Sequence, residues 1–304
     1  MAHALSGDDQ NAARWIGYAR FLLSVGDEAR ALAQAFPTPD HVLQGAGTSI
    51  VRSWRQNVLC CDANHIRLPP SSWALPISDA DYPALLAECS DAPPLLFGRG
   101  NVSALAKPAI AIVGSRRPSL DGRLLAERFA HDLASAGFVV VSGLATGIDA
   151  AAHRGAIKAG GETVAVVATG IDMTYPRSNV NLCEEIANNG AVVSQFLPAS
   201  APKKHHFPRR NRTLSGLALA TVVIEAGVPS GTLITATAAA EQGRDVFALP
   251  WSVNHSGGEG CLRLLMDGAL MAVSPVDVIR AVNWCHPCME APRHRPLRPT
   301  RDAR

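Results

Sequence analysis

Charge of one sign is what this sequence most conspicuously lacks. Lys and Arg number 28 against 26 Asp and Glu, leaving a net charge of +2. A protein that is basic throughout is excluded, so any site for a polyanion must come from local clustering of cations. No apolar run approaches the ~20 residues needed to span a bilayer. The N-terminus carries Asp8 and Asp9 where a signal peptide would have an apolar core. The 7 cysteines are an odd number at scattered positions, which argues for reduced thiols and against a disulfide framework. These absences together predict a cytoplasmic protein with no membrane segment. Gly-x-Gly-x-x-Gly is missing from the first strand-to-helix turn, and no acid ends the second strand to hold a ribose, which sets aside a dinucleotide oxidoreductase. Cys285-His286-Pro287-Cys288 has metal-like spacing but no second pair at finger distance, so it reads as a thiol pair. Cys60-Cys61 reads as carrying no chemistry. Neither a cofactor nor a metal is expected, and no internal repeat is visible.

What is present is a well-patterned apolar chain. It has 304 residues, 47% of them hydrophobic, enough for one large α/β domain with a smaller attachment. Residues 1–72 read as a small helical segment, with Trp15, Ile16, Ala19, Phe21, Leu22, Leu32 and Phe36 in partial helical register. Pro69-Pro70-Ser71-Ser72 reads as a linker. Residues 73–284 read as the core. Strands are expected at 109–113, 138–141, 163–167, 191–194, 221–224 and 246–248, with helices between them. Ser119 is expected to cap the first of these helices and Gly137 to stop it. Apolar strands alternating with amphipathic helices predict an α/β fold: a Rossmann-like, doubly wound, mostly parallel sheet covered on both faces. A last helix should begin at Ser274-Pro275, with Asp277 closing its cap. Residues 285–304, with Arg293, Arg295, Arg298, Arg301 and Arg304, read as a basic disordered tail.

In an open parallel sheet, ligands sit at the carboxyl ends of strands, and three segments converge there. The first is Gly114-Ser115-Arg116-Arg117-Pro118-Ser119. Gly114 admits an anion close to the backbone, the helix that follows offers its N-terminal N–H groups, and Arg116 adds a fork suited to phosphate. Taken alone it reads equally well as an ordinary turn with surface arginines. The second is Ser142-Gly143-Leu144-Ala145-Thr146-Gly147-Ile148-Asp149, another open loop. Asp149 reads there as a helix cap. His153 beyond it reads as a structural histidine, since no nucleophile is paired with it. The third runs from Lys203 to Arg212 and holds five fixed positive charges around Phe207, a phosphate-neutralising stretch with a stacking platform. The bland alternative is a solvated charged loop, but Phe207-Pro208 directly before Leu214 and Leu217 argues for anchorage.

These segments belong to a larger set. Ala-Ile-Val-Gly-Ser-Arg-Arg-Pro-Ser at 111–119, Ser-Gly-Leu-Ala-Thr-Gly-Ile-Asp-Ala-Ala-Ala-His at 142–153, Phe-Pro-Arg-Arg-Asn-Arg at 207–212, Ser-Gly-Leu at 215–217, Glu-Gln-Gly-Arg at 241–244 and Val-Phe-Ala-Leu-Pro at 246–250 stand in one order. Tyr82-Pro83 and the Pro-Pro-Leu-Leu-Phe-Gly of 93–98 precede them. The set resembles the signature blocks of the DNA-processing protein A family (DprA, also called Smf), over residues of about 79 to 272. The resemblance implies a homodimer that binds single-stranded DNA, protects incoming strands and loads the RecA recombinase in natural transformation. No enzymatic activity is expected, since no nucleophile, base and orienting group stand together in the sequence. Carried over by position, the resemblance implies a DNA site at Ser115, Arg116, Arg177, Lys204 and Phe207, and the three loops read above add Gly114, Arg117, Gly143, Arg209, Arg210, Asn211 and Arg212 to it. An apolar helix expected at 261–271 offers Leu262, Leu265 and Leu270 as the dimer surface. The chain departs from the family at Gln195, Trp251 and Leu262, and it is too short for the C-terminal winged helix that many members carry.

Two other readings stay open. One is a nucleotide-binding Rossmann-like sensor. The other is an enzyme resembling the phosphoribohydrolases, whose Gly-Thr-x-x-Glu helix start is matched here by Gly231-Thr232-Leu233-Ile234-Thr235. The carboxylate such an enzyme needs is replaced by Thr235.

Overall fold

The computed structural model describes residues 2–5, 9–44 and 68–285. The first part of the chain forms strand β1 (His3–Ala4), helices α1 (Asp9–Ser24), α2 (Ala29–Ala35) and α3 (Pro39–Gln44), strand β2 (Ser72–Pro76), helix α4 (Ala84–Ala87) and strand β3 (Leu95–Gly100). Regular alternation follows: β4 (Ala109–Val113), α5 (Leu120–Ser135), β5 (Val139–Ser142), α6 (Ile148–Lys158), β6 (Thr163–Val166), α7 (Val180–Asn188), β7 (Gly190–Ser194) and α8 (His206–Gly216). It continues with β8 (Ala220–Val223), α9 (Gly231–Glu241), β9 (Asp245–Ala248), α10 (Glu259–Met266), β10 (Leu270–Met271) and α11 (Pro275–Cys285).

The strands form one sheet in the order β1-β2-β3-β7-β6-β5-β4-β8-β9-β10. From β7 to β10 every pairing is parallel, and β1, β2 and β3 extend that sheet antiparallel. The chain steps outward from β4 to β7, then returns to lay β8 on the other side of β4. That reversal is the switch point at which open α/β sheets bind ligands. The pleat explains why the central strands read as unbroken apolar runs. Ala109, Ala111 and Val113 pack into the core on one face, and Ile110 and Ile112 into the core on the other.

The doubly wound core follows the sequence pattern closely, including the cap: Ser119 Oγ accepts from Gly122 N at 3.0 Å. Three features depart from it. The antiparallel strand β1 lies in the stretch read as helical, and β2 and β3 lie at the start of the core, where no strand was expected before 109; Ser72, read as linker, is the first, buried residue of β2. The N-terminal helices also share the core of the sheet. Trp15, Tyr18 and Phe21 belong to the same apolar cluster as Trp73, Leu75 and Phe97, and β1 pairs with β2 across the 72/73 division. Finally, the apolar helix expected at 261–271 ends at Met266. Gly268, at φ +100°, turns the chain so that Leu270 and Met271 form an edge strand. Cys60-Cys61, the chain beyond Cys285 and the basic tail lie outside the described residues. Among the described residues no helix is long and apolar enough to cross a membrane, and no group of His, Cys, Asp and Glu is placed to hold a metal.

His153 of α6 is fully buried between two layers. Thr163 Oγ1 donates to Val140 O at 2.7 Å and so accepts from His153 Nδ1, also at 2.7 Å, while His153 Nε2 has no partner among the described residues. Burial pushes its pKa down to about 3. The imidazole is therefore neutral in the native protein at pH values where the unfolded chain protonates it. Stability should be unaffected above the ordinary histidine pKa of about 6.5 and should fall between there and about pH 3. At pH 4.5 this one group costs about 3 kcal/mol. In urea denaturation at pH 7 and pH 4.5, His153→Gln should shrink the difference between the two pH values. An unchanged difference would show that His153 does not carry the acid sensitivity.

Candidate functional site

A cleft of about 580 Å³ opens at the switch point, between the loop after β4 and the loop after β8. Its frame is tightly tied. Ser115 N donates to Glu225 O at 2.7 Å, and Ile148 N donates to Ser115 O at 3.1 Å. A Cβ on Gly114 would meet Ile148 Cγ1 at 2.6 Å, so only glycine lets the β4 loop pass this close to α6. Gly147, at φ +81°, admits the backbone of Ser115 in the same way. Arg116 and Arg117 stand exposed on this fixed loop, and Thr146 Oγ1 donates to Arg116 O at 3.2 Å.

The electrostatics of the cleft differ from the sequence expectation in one respect. The N-terminus of α5 already has an anionic side chain of the protein against it. The carboxylate of Glu225, from the end of β8, already fills it, and Glu225 is only 2% exposed. Ser119 N donates to Glu225 Oε1 at 3.0 Å and Ser119 Oγ donates to Oε2. A Cβ on Gly122 would run into the same carboxylate. A buried carboxylate at a helix N-terminus accepts from the cap residue and complements the dipole, so a phosphate approaching that terminus would meet a like charge. Asp149, read from the sequence as a helix cap, is instead the second residue of α6, whose N-cap Gly147 has no side-chain partner; its Oδ2 accepts from the loop amide Ala145 N at 3.3 Å. Ser230 Oγ caps α9 by accepting from Thr232 N at 3.1 Å. Anion affinity is left to the arginines.

Gly143 proves to be a matter of space. A Cβ there would strike Arg210 Nη1, which donates to Val166 O at 2.8 Å. Arg210 forms the floor of the cleft at 5% exposure, with Asp149 buried nearby. Burial pushes the Asp149 carboxyl pKa up and the Arg210 pKa down, and the attraction between the two groups opposes both shifts. Phe207, in the first turn of α8, is half-buried at the cleft wall. The Arg116 guanidinium lies 5.2 Å over its ring, and Tyr175 meets it edge-on at 6.0 Å. Its neighbour His206 anchors the turn by stacking on Phe196 at 4.0 Å and by its Nδ1 contact to Ala168 O at 3.0 Å.

The sequence-derived residues therefore divide. Gly114, Ser115, Arg116, Arg117, Phe207, Arg210 and Asn211 line the cleft together. Arg177 and Lys204 are exposed on the loops after β6 and β7, at the same carboxyl end of the sheet but outside the cleft lining. Arg209 and Arg212 turn toward the N-terminal helices and line a separate hollow there. Arg212 is ion-paired with both Asp91 and Glu241. Thr235 is buried on α9, and its hydroxyl points back at Gly231 O, 3.5 Å away.

The DNA recombination-mediator protein A family matches residues 73–283. The chain belongs to that family. It is 45% identical over 203 residues to the DNA processing protein DprA of Streptococcus pneumoniae, covering 67% of this chain and 72% of that one. It is 40% identical over 205 residues to the Bacillus subtilis DprA, covering 67% and 69%. The solved Streptococcus pneumoniae DprA superposes with a TM-score of 0.74 at 35% identity, over 87% of this chain and 97% of that one. A Helicobacter pylori DNA processing protein A, solved to explain its single-stranded-DNA binding mode, superposes at 0.64 with 28% identity, over 70% and 96%. Within this family frame, two features of the cleft were not singled out from the sequence. Glu225 is joined to Ser119 across 106 positions, which no local pattern reveals. Tyr175 had a signal, a Tyr-Pro at a strand end, but only the residue after it was read as functional.

Proposed function

We propose that this chain binds single-stranded DNA along the carboxyl end of the sheet, and that as a cytoplasmic homodimer it protects incoming strands and loads RecA in natural transformation. The observation that carries the reading is the pairing of an unburied guanidinium, Arg116, with the half-exposed Phe207 ring on a fixed frame. Phosphates need cations and unpaired bases need an aromatic face, and both are offered side by side. Arg177 and Lys204 extend the cationic track at the same end of the sheet. The occupied N-termini of α5 and α9 argue against a free-nucleotide sensor, because Glu225 stands against the first and Ser230 caps the second. They argue equally against phosphoribohydrolase chemistry, for which Thr235 also supplies no carboxylate. The dimer reading rests on the apolar edge formed by Met266, Leu270, Met271 and Val273, all exposed, next to the partly buried Leu262 and Leu265.

The test compares single-stranded and duplex oligonucleotides in gel shifts at two salt concentrations, with native mass measured on the same samples. Single strands should bind more tightly, binding should weaken with salt, and the unbound mass should be that of two chains. Equal affinity for duplex would overturn the site, and a monomer at micromolar concentration would overturn the assembly.

A further inference from the structure

The chain has three tyrosines, and two of them are ordinary core residues. The Tyr18 hydroxyl donates to Phe36 O and the Tyr82 hydroxyl to Pro93 O, and both rings are buried. Tyr175 is different. It is 45% exposed, the one exposed Phe, Tyr or Trp side chain among those whose burial is described, and its hydroxyl has no protein partner among the described residues. Its loop is nevertheless firmly held. Thr169 Oγ1 donates to Met173 O at 2.6 Å, and Asn179 Nδ2 donates to Leu144 O at 3.0 Å and to Ala145 O at 3.2 Å. A large ring kept in water on a fixed loop adds nothing to the core, which points to a contact with something else.

The ring stands beside Phe207, with centroids 6.0 Å apart and planes at 65°. A small hollow of about 70 Å³ lies at the foot of the two rings, and Arg116 and Thr146 line it too. We propose that Tyr175 is a second base-stacking platform, so that neighbouring bases of one strand lie on Phe207 and on Tyr175. This inference rests on the single-stranded-DNA reading above. Two bases that remain stacked on each other have parallel planes, and platforms at 65° cannot both serve such a pair. Binding therefore opens the strand at this step. Arg116, lining the same hollow, is placed to neutralise the phosphate between the two bases. The consequence is selectivity for flexible, unpaired strands beyond what one aromatic face would give.

The experiment uses the full chain and a short oligonucleotide of consecutive 2-aminopurines, whose exciton circular dichroism requires neighbouring bases to stack on each other. Wild type should bind and reduce that signal. Tyr175→Ala should bind about tenfold more weakly with an unchanged salt slope, because no charge is removed, and should leave more of the exciton signal in the saturated complex. Tyr175→Phe should restore both. Thermal unfolding of the variants should match wild type, since the ring is not part of the core. Wild-type affinity and wild-type dichroism for Tyr175→Ala would overturn the second platform while leaving the functional reading intact. Equal weakening by Tyr175→Phe and Tyr175→Ala would overturn stacking in favour of a hydroxyl contact. Absence of single-strand binding by wild type would overturn both readings at once.

Discussion

Glu225→Ala should lower the unfolding free energy by about 3 kcal/mol and create an anion site that the wild type lacks. The side chain is buried among Ser119, Gly122 and Gly257, with His255 Nε2 3.6 Å from Oε2. Removing it leaves Ser119 N without an acceptor at the start of a 16-residue helix. Hydrogen bonds to a charged group contribute about 1.5–3 kcal/mol, and a charge at a partly buried helix terminus up to about 2. The vacated space should then accept inorganic phosphate. At a phosphate concentration tenfold above its dissociation constant, mass action returns about 1.4 kcal/mol. Urea denaturation with and without phosphate, at constant ionic strength, reads both effects. A variant as stable as wild type, or one that gains no more from phosphate than wild type does, would show that Glu225 does not close the terminus. The point bears on function, because the same carboxylate stands where the α5 N-terminus would otherwise face a small phosphate.

Where the sequence was legible, local chemistry was enough. Ala109 to Val113 reads as a strand because both of its faces are buried, and Ser119 reads as a cap because the helix that follows needs an acceptor at its start. The charge run at 203–212 shows where that kind of reading stops. In the sequence it is one cationic stretch. On α8 the helical period separates it: Phe207, Arg210, Asn211 and Leu214 fall at spacings of three, four and seven and line the cleft, while Arg209 and Arg212, three apart, line another hollow. Gly143 reads in the sequence as part of an open loop and a DNA-site residue, and what its lack of a side chain admits is the Arg210 side chain from a helix far along the chain. Strands β2 and β3 escaped notice because prolines and glycines punctuate them. Gly98 is there to admit the Trp73 ring, whose indole N–H donates to Gly100 O at 3.0 Å. In each case the missing information was a partner distant in sequence.

The triple variant Arg116→Ala, Arg177→Ala, Lys204→Ala should lose most of the salt dependence of single-strand binding. Each phosphate neutralised on a single strand contributes ~0.7 to the slope of log affinity against log salt, so three cations account for about 2. Arg116→Ala alone should flatten the slope by ~0.7 and weaken all sequences alike. Phe207→Ala should leave the slope unchanged and cost about 1–3 kcal/mol of stacking. The two residues are not independent. In the unbound protein the Arg116 guanidinium rests over the Phe207 ring, 5.2 Å from its centroid, where an incoming base would stack. An exposed contact of this kind is worth about 0.5–1 kcal/mol, and a base that takes that face must displace the arginine toward the phosphate. Removing either partner abolishes this contact in the unbound state, so the double variant should deviate from the sum of the singles by about that amount. Titration of oligo-dT against wild type, the two single variants, their double and the triple variant, at several salt concentrations, measures slope and coupling together. If folded Arg116→Ala and Lys204→Ala bind oligo-dT as tightly as wild type, the strand lies elsewhere. The arginines from Arg293 to Arg304 then become the next candidate, and their deletion would decide it.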